Sequence, residues 1–212
     1  MPLGRDQMFK ILKQEDLLVK RRKKAPRTTN SRHYYAVQPN LFNNKNWTTP
    51  GQAVVADITY LRISSGFGYL FLVTDACSKN IVGWELSSTM EHKGAIKALE
   101  RLKDWYKNPQ GLIHHSDRGS QYCCHEFLRE IERQGIKSSM TDADHCAQNA
   151  LAERMNGILK DEFYLDLEFQ SFNQARRAVE NAILIYNTRR PHRSLKMKKP
   201  IDVHFQDHDM AA

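Results

Sequence analysis

Three runs of β-branched and aromatic residues, AVVADITYL, YLFLVTDA and KNIVGWEL, follow one another from residue 53 with only short turns such as SSGFG between them. That spacing predicts an antiparallel meander of three strands. Next, EHKGAIKALERLKDWYKN sets Ile96, Leu99, Leu102, Trp105 and Tyr106 on one helical face. GLIHHSD reads as a short buried strand ending in polar residues, HEFLREIERQG as a helix, IKSSMT as another strand, and about 148 to 162 as a longer helix. A last helix over Phe172 to Asn187 ends at NTRRPHRSLKMKKP. This order predicts an α/β fold, a mixed five-stranded sheet flanked by helices, with no internal repeat.

Charge separates the chain into two parts. Residues 1 to 50 carry 11 Lys/Arg against 3 Asp/Glu, whereas the remainder holds 21 of each. All of the net charge of +8 therefore sits in the leading arm, densest in KRRKKAPR, which holds Lys20, Arg21, Arg22, Lys23, Lys24 and Arg27. No compact core accommodates such a run. A solvated tail is the plain reading, but the balanced remainder makes the segregation specific and favours a polyanion such as the nucleic-acid backbone. Apolar residues between Asp6 and Val19 are spaced for a short amphipathic helix ahead of it, and Pro26 to Pro50 reads as an extended linker. The expected organisation is an arm over 1–46, a core over 47–206 and a tail over 207–212. No apolar run is long enough to span a membrane and no secretory signal is present, so a cytoplasmic protein is expected.

Cys77, Cys123, Cys124 and Cys146 lack CxxC spacing, and adjacent cysteines suit tetrahedral chelation poorly, so reduced structural thiols are expected rather than a zinc site.

Three carboxylates stand out. Asp57 interrupts the most apolar strand, between Val54, Val55, Ala56 and Ile58, where an ionised side chain needs a cation or donors. Asp117 follows the strand LIHHS, at the kind of strand end where such folds keep their chemistry. Glu153 lies in QNALAERMNG, where Asn149, Glu153, Asn156 and Lys160 fall within an arc of roughly 60°, opposite Leu151, Met155 and Ile158. Taken alone, that stripe is the ordinary decoration of an exposed helix. As a set, two aspartates and a glutamate can bind a pair of hard divalent cations, which suits in-line displacement at phosphorus. The asparagines and Lys160 would then face nucleic acid.

ADITYL, HHSDRGSQY, NALAERMNGILK and YNTRRPHRSL together resemble the successive motifs of the integrase-type transposases of bacterial insertion sequences of the third family. The likeness covers nearly the whole chain, and thirty-five residues separate Asp117 from Glu153, as is typical of that branch. The resemblance implies a ribonuclease-H-like fold and metal-binding catalytic roles for Asp57, Asp117 and Glu153. It also implies two Mg2+ ions, with Mn2+ as a substitute, DNA cleavage and strand transfer, the element's terminal inverted repeats and target DNA as partners, and a homo-oligomer on DNA. Relatives generally carry an upstream helix-turn-helix region; this chain begins at what resembles its tail, so an upstream-frame partner or a truncated copy is implied. Where relatives often read Asp-Asn-Ala, this chain has Gln148-Asn149-Ala150, a departure expected to touch a local contact rather than the metals.

Around these acids, Asp75, Asp142 and Asp144 read as structural caps and loop residues, and His114 and His115 as packed or surface histidines. Arg118 is expected to fork onto phosphate, and Arg190 and His192 in the closing basic loop to contact DNA or another subunit. Rival readings are a truncated noncatalytic DNA-binding regulator and a nuclease of the same fold that does not join strands. A glycosidase with paired carboxylates leaves the basic arm without a role.

Overall fold

The computed structural model describes residues 4–18, 33–43, 45–142 and 146–206, so the basic run at 20–27 lies outside it. Strands β1 (Ala53–Ile63), β2 (Gly66–Asp75) and β3 (Ile81–Ser87) form the expected antiparallel meander. The helix α1 (Arg5–Gln14) of the arm buries none of its residues. Helix α2 (His92–Glu100), prolonged by a 3-10 turn over Arg101–Asp104, leads to β4 (Ile113–Ser116), the short α3 (Ser120–Cys123), α4 (His125–Arg133) and β5 (Lys137–Met140). Beyond it come α5 (Ala150–Glu162), β6 (Glu168–Phe169), α6 (Phe172–Arg189) and α7 (Pro200–Phe205). Sheet order is β3-β2-β1-β4-β5, with β4 parallel to β1 and to β5. The five expected strands are joined by a sixth, β6, which adds two residues in parallel to the far end of β1. A pair this short carries no alternating pattern, which is why the sequence did not disclose it.

Helices cover both faces of the sheet, and side-chain alternation sorts β2 between them. Phe71 and Val73 enter the layer formed with α2 and α4, beside Ala95, Leu99 and Phe127. Leu70 and Leu72 enter the layer formed with α5 and α6, beside Met155, Leu159, Val179 and Tyr186. A strand buried on both sides reads as a nearly continuous apolar run, as YLFLV does. Each fully buried side chain of this size contributes roughly 1.5–3 kcal/mol. Two glycines let α2 approach the sheet: a methyl group on Gly83 would strike the Ala98 carbonyl, and one on Gly94 the Phe71 ring. Helix α6 starts where it does because Ser171 Oγ accepts from Gln174 N at 3.2 Å while Gln174 Oε1 accepts from Gln170 N at 2.7 Å.

The stretch 33–43 belongs to the folded body rather than to a free linker. Leu41 N donates to Ser139 Oγ at 2.8 Å, and Phe42 stacks on His115 at 4.6 Å between ring centroids. Asp75 has the capping role expected of it, taking hydrogen bonds from Gly51 N, Cys77 N, Ser78 N, Ser78 Oγ and Tyr106 Oη at 2.7 to 3.0 Å.

Candidate active site

Parallel pairing of β1 with β4 matches Ala53 to Ile113, Val54 to His114 and Val55 to His115. Asp57 follows two residues after the last of these pairs on β1, and Asp117 two residues after it on the other chain segment, just past the end of β4. Alternation along β1 puts Asp57 on the face of Leu61 and Ile63, which α5 and α6 cover. Glu153 occupies the first turn of α5 and is exposed.

Asparagines of the same helix turn inward. Asn156 is 8% exposed, and its Nδ2 donates to Asp57 Oδ2 at 2.7 Å. Asn149 is 3% exposed, and its Nδ2 donates to the Ala56 carbonyl at 3.1 Å. Their Oδ1 atoms are buried without a hydrogen-bond partner. Lys160 places Nζ 4.5 Å from the centre of the Tyr60 ring. The polar stripe of α5 thus lies along β1, on the segment that carries Asp57.

Electrostatics couple Asp57 to Asp117 and, more weakly, to Glu153, although the three do not bring ligand atoms within 4.8 Å of one another. Burial pushes the Asp57 carboxyl up to about 7, and the charges of Asp117 and, more weakly, Glu153 push the same way against hydrogen bonds from Ile58 and Asn156. Asp117 Oδ1 accepts from Gly119 N at 2.9 Å, a turn that fixes its carboxyl where the chain leaves β4. The half-buried carboxyl is raised first by desolvation and then by two acidic neighbours, so its charged form is opposed on both counts. An all-oxygen donor set fits a hard divalent cation such as Mg2+.

Several residues expected at a nucleic-acid surface also have partners within the fold. Asn149 and Asn156 are buried against β1, as described. Arg190 grips Glu162 with Nε and Nη2 at 2.6 and 2.7 Å, tying the end of α6 to the end of α5. His192 is 5% exposed and meets Tyr186 Oη at 2.8 Å. Arg118 donates from Nε to the Thr141 carbonyl at 2.7 Å, joining the exit of β4 to that of β5. Each is a polar group that would be costly to bury unpaired, and the fold supplies the pair. The basic arm, Lys20 to Lys24 and Arg27, lies outside the described residues.

His114 and His115 are packed: burial pulls them down to about 3 and about 4, so both are neutral at physiological pH. Gln148 accepts from Asp142 N at 2.6 Å and from Asn40 Nδ2 at 3.0 Å, and its Nε2 donates to Asp142 Oδ2 at 2.8 Å. The role missed in the sequence is that of Asn156 as the anchor of Asp57. Its position three residues after Glu153 was visible, but not the direction it faces. Among the described residues no helix is long and apolar enough to cross a membrane.

Comparison with known proteins agrees with this architecture. Integrase core domain models match residues 48–146 and 134–200. An insertion element IS600 31 kDa protein from Shigella sonnei is 35% identical over 99% of this chain, which spans 78% of that protein. The transposase of insertion sequence IS3A from Escherichia coli strain K12 is 32% identical over 85% of this chain, which spans 64% of its length. The catalytic core domain of HTLV-2 integrase, solved in complex with magnesium, superposes with a TM-score of 0.60 at 19% identity, covering 75% of this chain and 99% of that one. At that identity the likeness establishes the ribonuclease-H-like fold alone.

Proposed function

Because this chain belongs to the IS3 family of integrase-core transposases of bacterial insertion sequences, we propose that it carries the catalytic centre for metal-dependent cleavage and strand transfer at the ends of such an element. The observation that carries the reading is the placement of Asp57 on β1, tethered by Asn156 of the helix that also carries Glu153, with Asp117 just past the end of β4, the strand paired with β1. One acid on β1, one just past the end of β4 and a third on the covering helix would supply an oxygen-only set. Bound there, Mg2+ or Mn2+ would activate the attacking oxygen and stabilise the leaving one at phosphorus. Asp57, Asp117 and Glu153 would hold the metal. Asn156 fixes one Asp57 oxygen and so decides which remains available. Glu153, exposed at the start of α5, stands where a DNA phosphate would approach. The basic run at 20–27 would add affinity for terminal repeats and target DNA without reading bases. Two element ends imply more than one subunit on DNA, with an upstream-frame helix-turn-helix protein as a further partner.

Purified protein, labelled element-end DNA and Mg2+ test the reading by comparing the wild type with Glu153→Gln. The wild type is expected to nick the end and yield joined products, and the variant to bind DNA without nicking. Equal nicking by both removes Glu153 from the centre, and nicking without any joined product leaves a nuclease.

A further inference from the structure

Among the described residues, His92, Cys124 and Glu126 form the one group of metal-ligating side chains that brings one ligand atom each to within 4.8 Å of one another; Asp57, Asp117 and Glu153 do not meet that spacing. They come from two elements. His92 is the first residue of α2, Cys124 is the N-cap of α4, and Glu126 lies in the first turn of α4. Cys124 is 4% exposed, His92 half-buried and Glu126 exposed, so the cluster opens to solvent on one side.

We propose that His92, Cys124 and Glu126 form a binding site for a borderline transition-metal ion of the Zn2+ class, separate from the oxygen-only site of Asp57, Asp117 and Glu153. The donors are an imidazole nitrogen, a thiolate sulfur and a carboxylate oxygen, a set that Zn2+ accepts at bond lengths of about 2.0 to 2.3 Å and that Mg2+ does not favour. Donor atoms already within 4.8 Å of one another need only a small contraction to share such an ion. Three protein ligands leave a fourth position open on the exposed side. Both helices present their amino ends here, and those ends favour the anionic thiolate and carboxylate. The Glu126 carboxyl is held below its usual range by a hydrogen bond from its own amide, with the charge of His92 and the Cys124 thiol acting in the same direction. Burial pushes the Cys124 thiol up, so binding the ion releases a proton.

The sequence argued against zinc because Cys123 and Cys124 are adjacent, but Cys123 is not in the cluster, and the missing ligand comes from thirty-two positions upstream. Such a site would staple α2 to the segment that follows Asp117. A thinner link exists there already: Gln121 Nε2 donates to the Met90 carbonyl at 3.0 Å, and Cys124 Sγ to the Gln121 carbonyl at 3.4 Å. The inference does not pass through catalysis.

Co2+ titration of the full chain carrying Asp57→Asn, which weakens the oxygen-only site, tests it. One equivalent is expected to produce a thiolate-to-cobalt charge-transfer band with tetrahedral visible absorption, bleached by added Zn2+. Oxygen ligands give no such band, so the two sites are distinguished. His92→Gln and Glu126→Gln, both reaching solvent, are expected to weaken the apparent affinity by about 10- to 100-fold with circular dichroism unchanged. Cys124→Ser is expected to abolish the band and Cys77→Ser to leave it. No band in the parent chain, a band unaffected by His92→Gln and Glu126→Gln, or a band lost in Cys77→Ser would each overturn the proposal.

Discussion

Asn156 of α5 donates to Asp57 of β1 at 2.7 Å, so the helix that carries Glu153 also holds the carboxylate across from it. The bond leaves Asp57 one tethered oxygen and one directed elsewhere. Asn156→Ala is expected to lower Mg2+ affinity and the nicking rate about 10- to 100-fold, as outer-sphere partners of metal ligands generally do. A magnesium titration of nicking checks this, with a shifted half-saturation as the expected sign. Asn156→Asp would place a fourth carboxylate beside three and is expected to be more damaging than alanine.

Asp57→Asn is expected to abolish nicking while making the metal-free protein more stable at pH 8. The folded carboxyl is raised from its usual range to about 7. Between about pH 4 and pH 7 the folded state therefore binds a proton that the unfolded chain has given up, and stability falls as pH rises through that window. An amide carries no such penalty and still accepts from Asn156. The expected gain above pH 7 is on the order of 1–3 kcal/mol, read as a higher urea midpoint. At pH 4 the two proteins should unfold alike, and Mg2+ should close the gap at pH 8.

Arg190→Ala is expected to cost on the order of 1 kcal/mol, because it breaks a forked pair with Glu162 that is partly open to solvent. Arg190→Lys should recover little of this, since an ammonium cannot reproduce the fork. A double-mutant cycle with Glu162→Gln, followed by thermal unfolding, measures the coupling. DNA affinity should change far less than stability if the side chain is spent inside the fold.

Neutralising Lys20, Arg21, Arg22, Lys23, Lys24 and Arg27 together is expected to weaken DNA binding equally for element-end and unrelated sequences. The slope of log affinity against log salt should shrink by up to about 0.9 for each phosphate that the arm no longer neutralises. Binding titrations at several salt concentrations supply it, and a loss confined to element ends would assign base recognition to the arm.

The meander and the helices were legible because their residues repeat with the periods of strand and helix. YLFLV and the spacing of Leu99 and Leu102 come from burial, and burial leaves a periodic trace. Asp57 was legible for the opposite reason, as a charge that breaks such a trace. What could not be read was direction. Asn149 and Asn156 fall on a polar stripe, and a stripe reads the same whether it meets water or the backbone of a neighbouring strand. Nor could the sequence show that Arg118, Arg190 and His192 also have partners inside the fold, separated from them by 6 to 28 positions. The trio His92, Cys124 and Glu126 was hidden for the same reason, because α2 and α4 meet only through the layer they share on one face of the sheet.

Asp57 and Asp117 each follow closely on the paired register of β1 and β4, where pairing moves only in whole-residue steps and a single step would send a side chain through to the opposite face. Their relation is therefore all or nothing. Glu153 rests on a helix seated by side chains alone, which can tilt or slide by fractions of an ångström, so whatever presses on α5 would reach the proposed site as a graded adjustment of Glu153 against the two acids near the sheet.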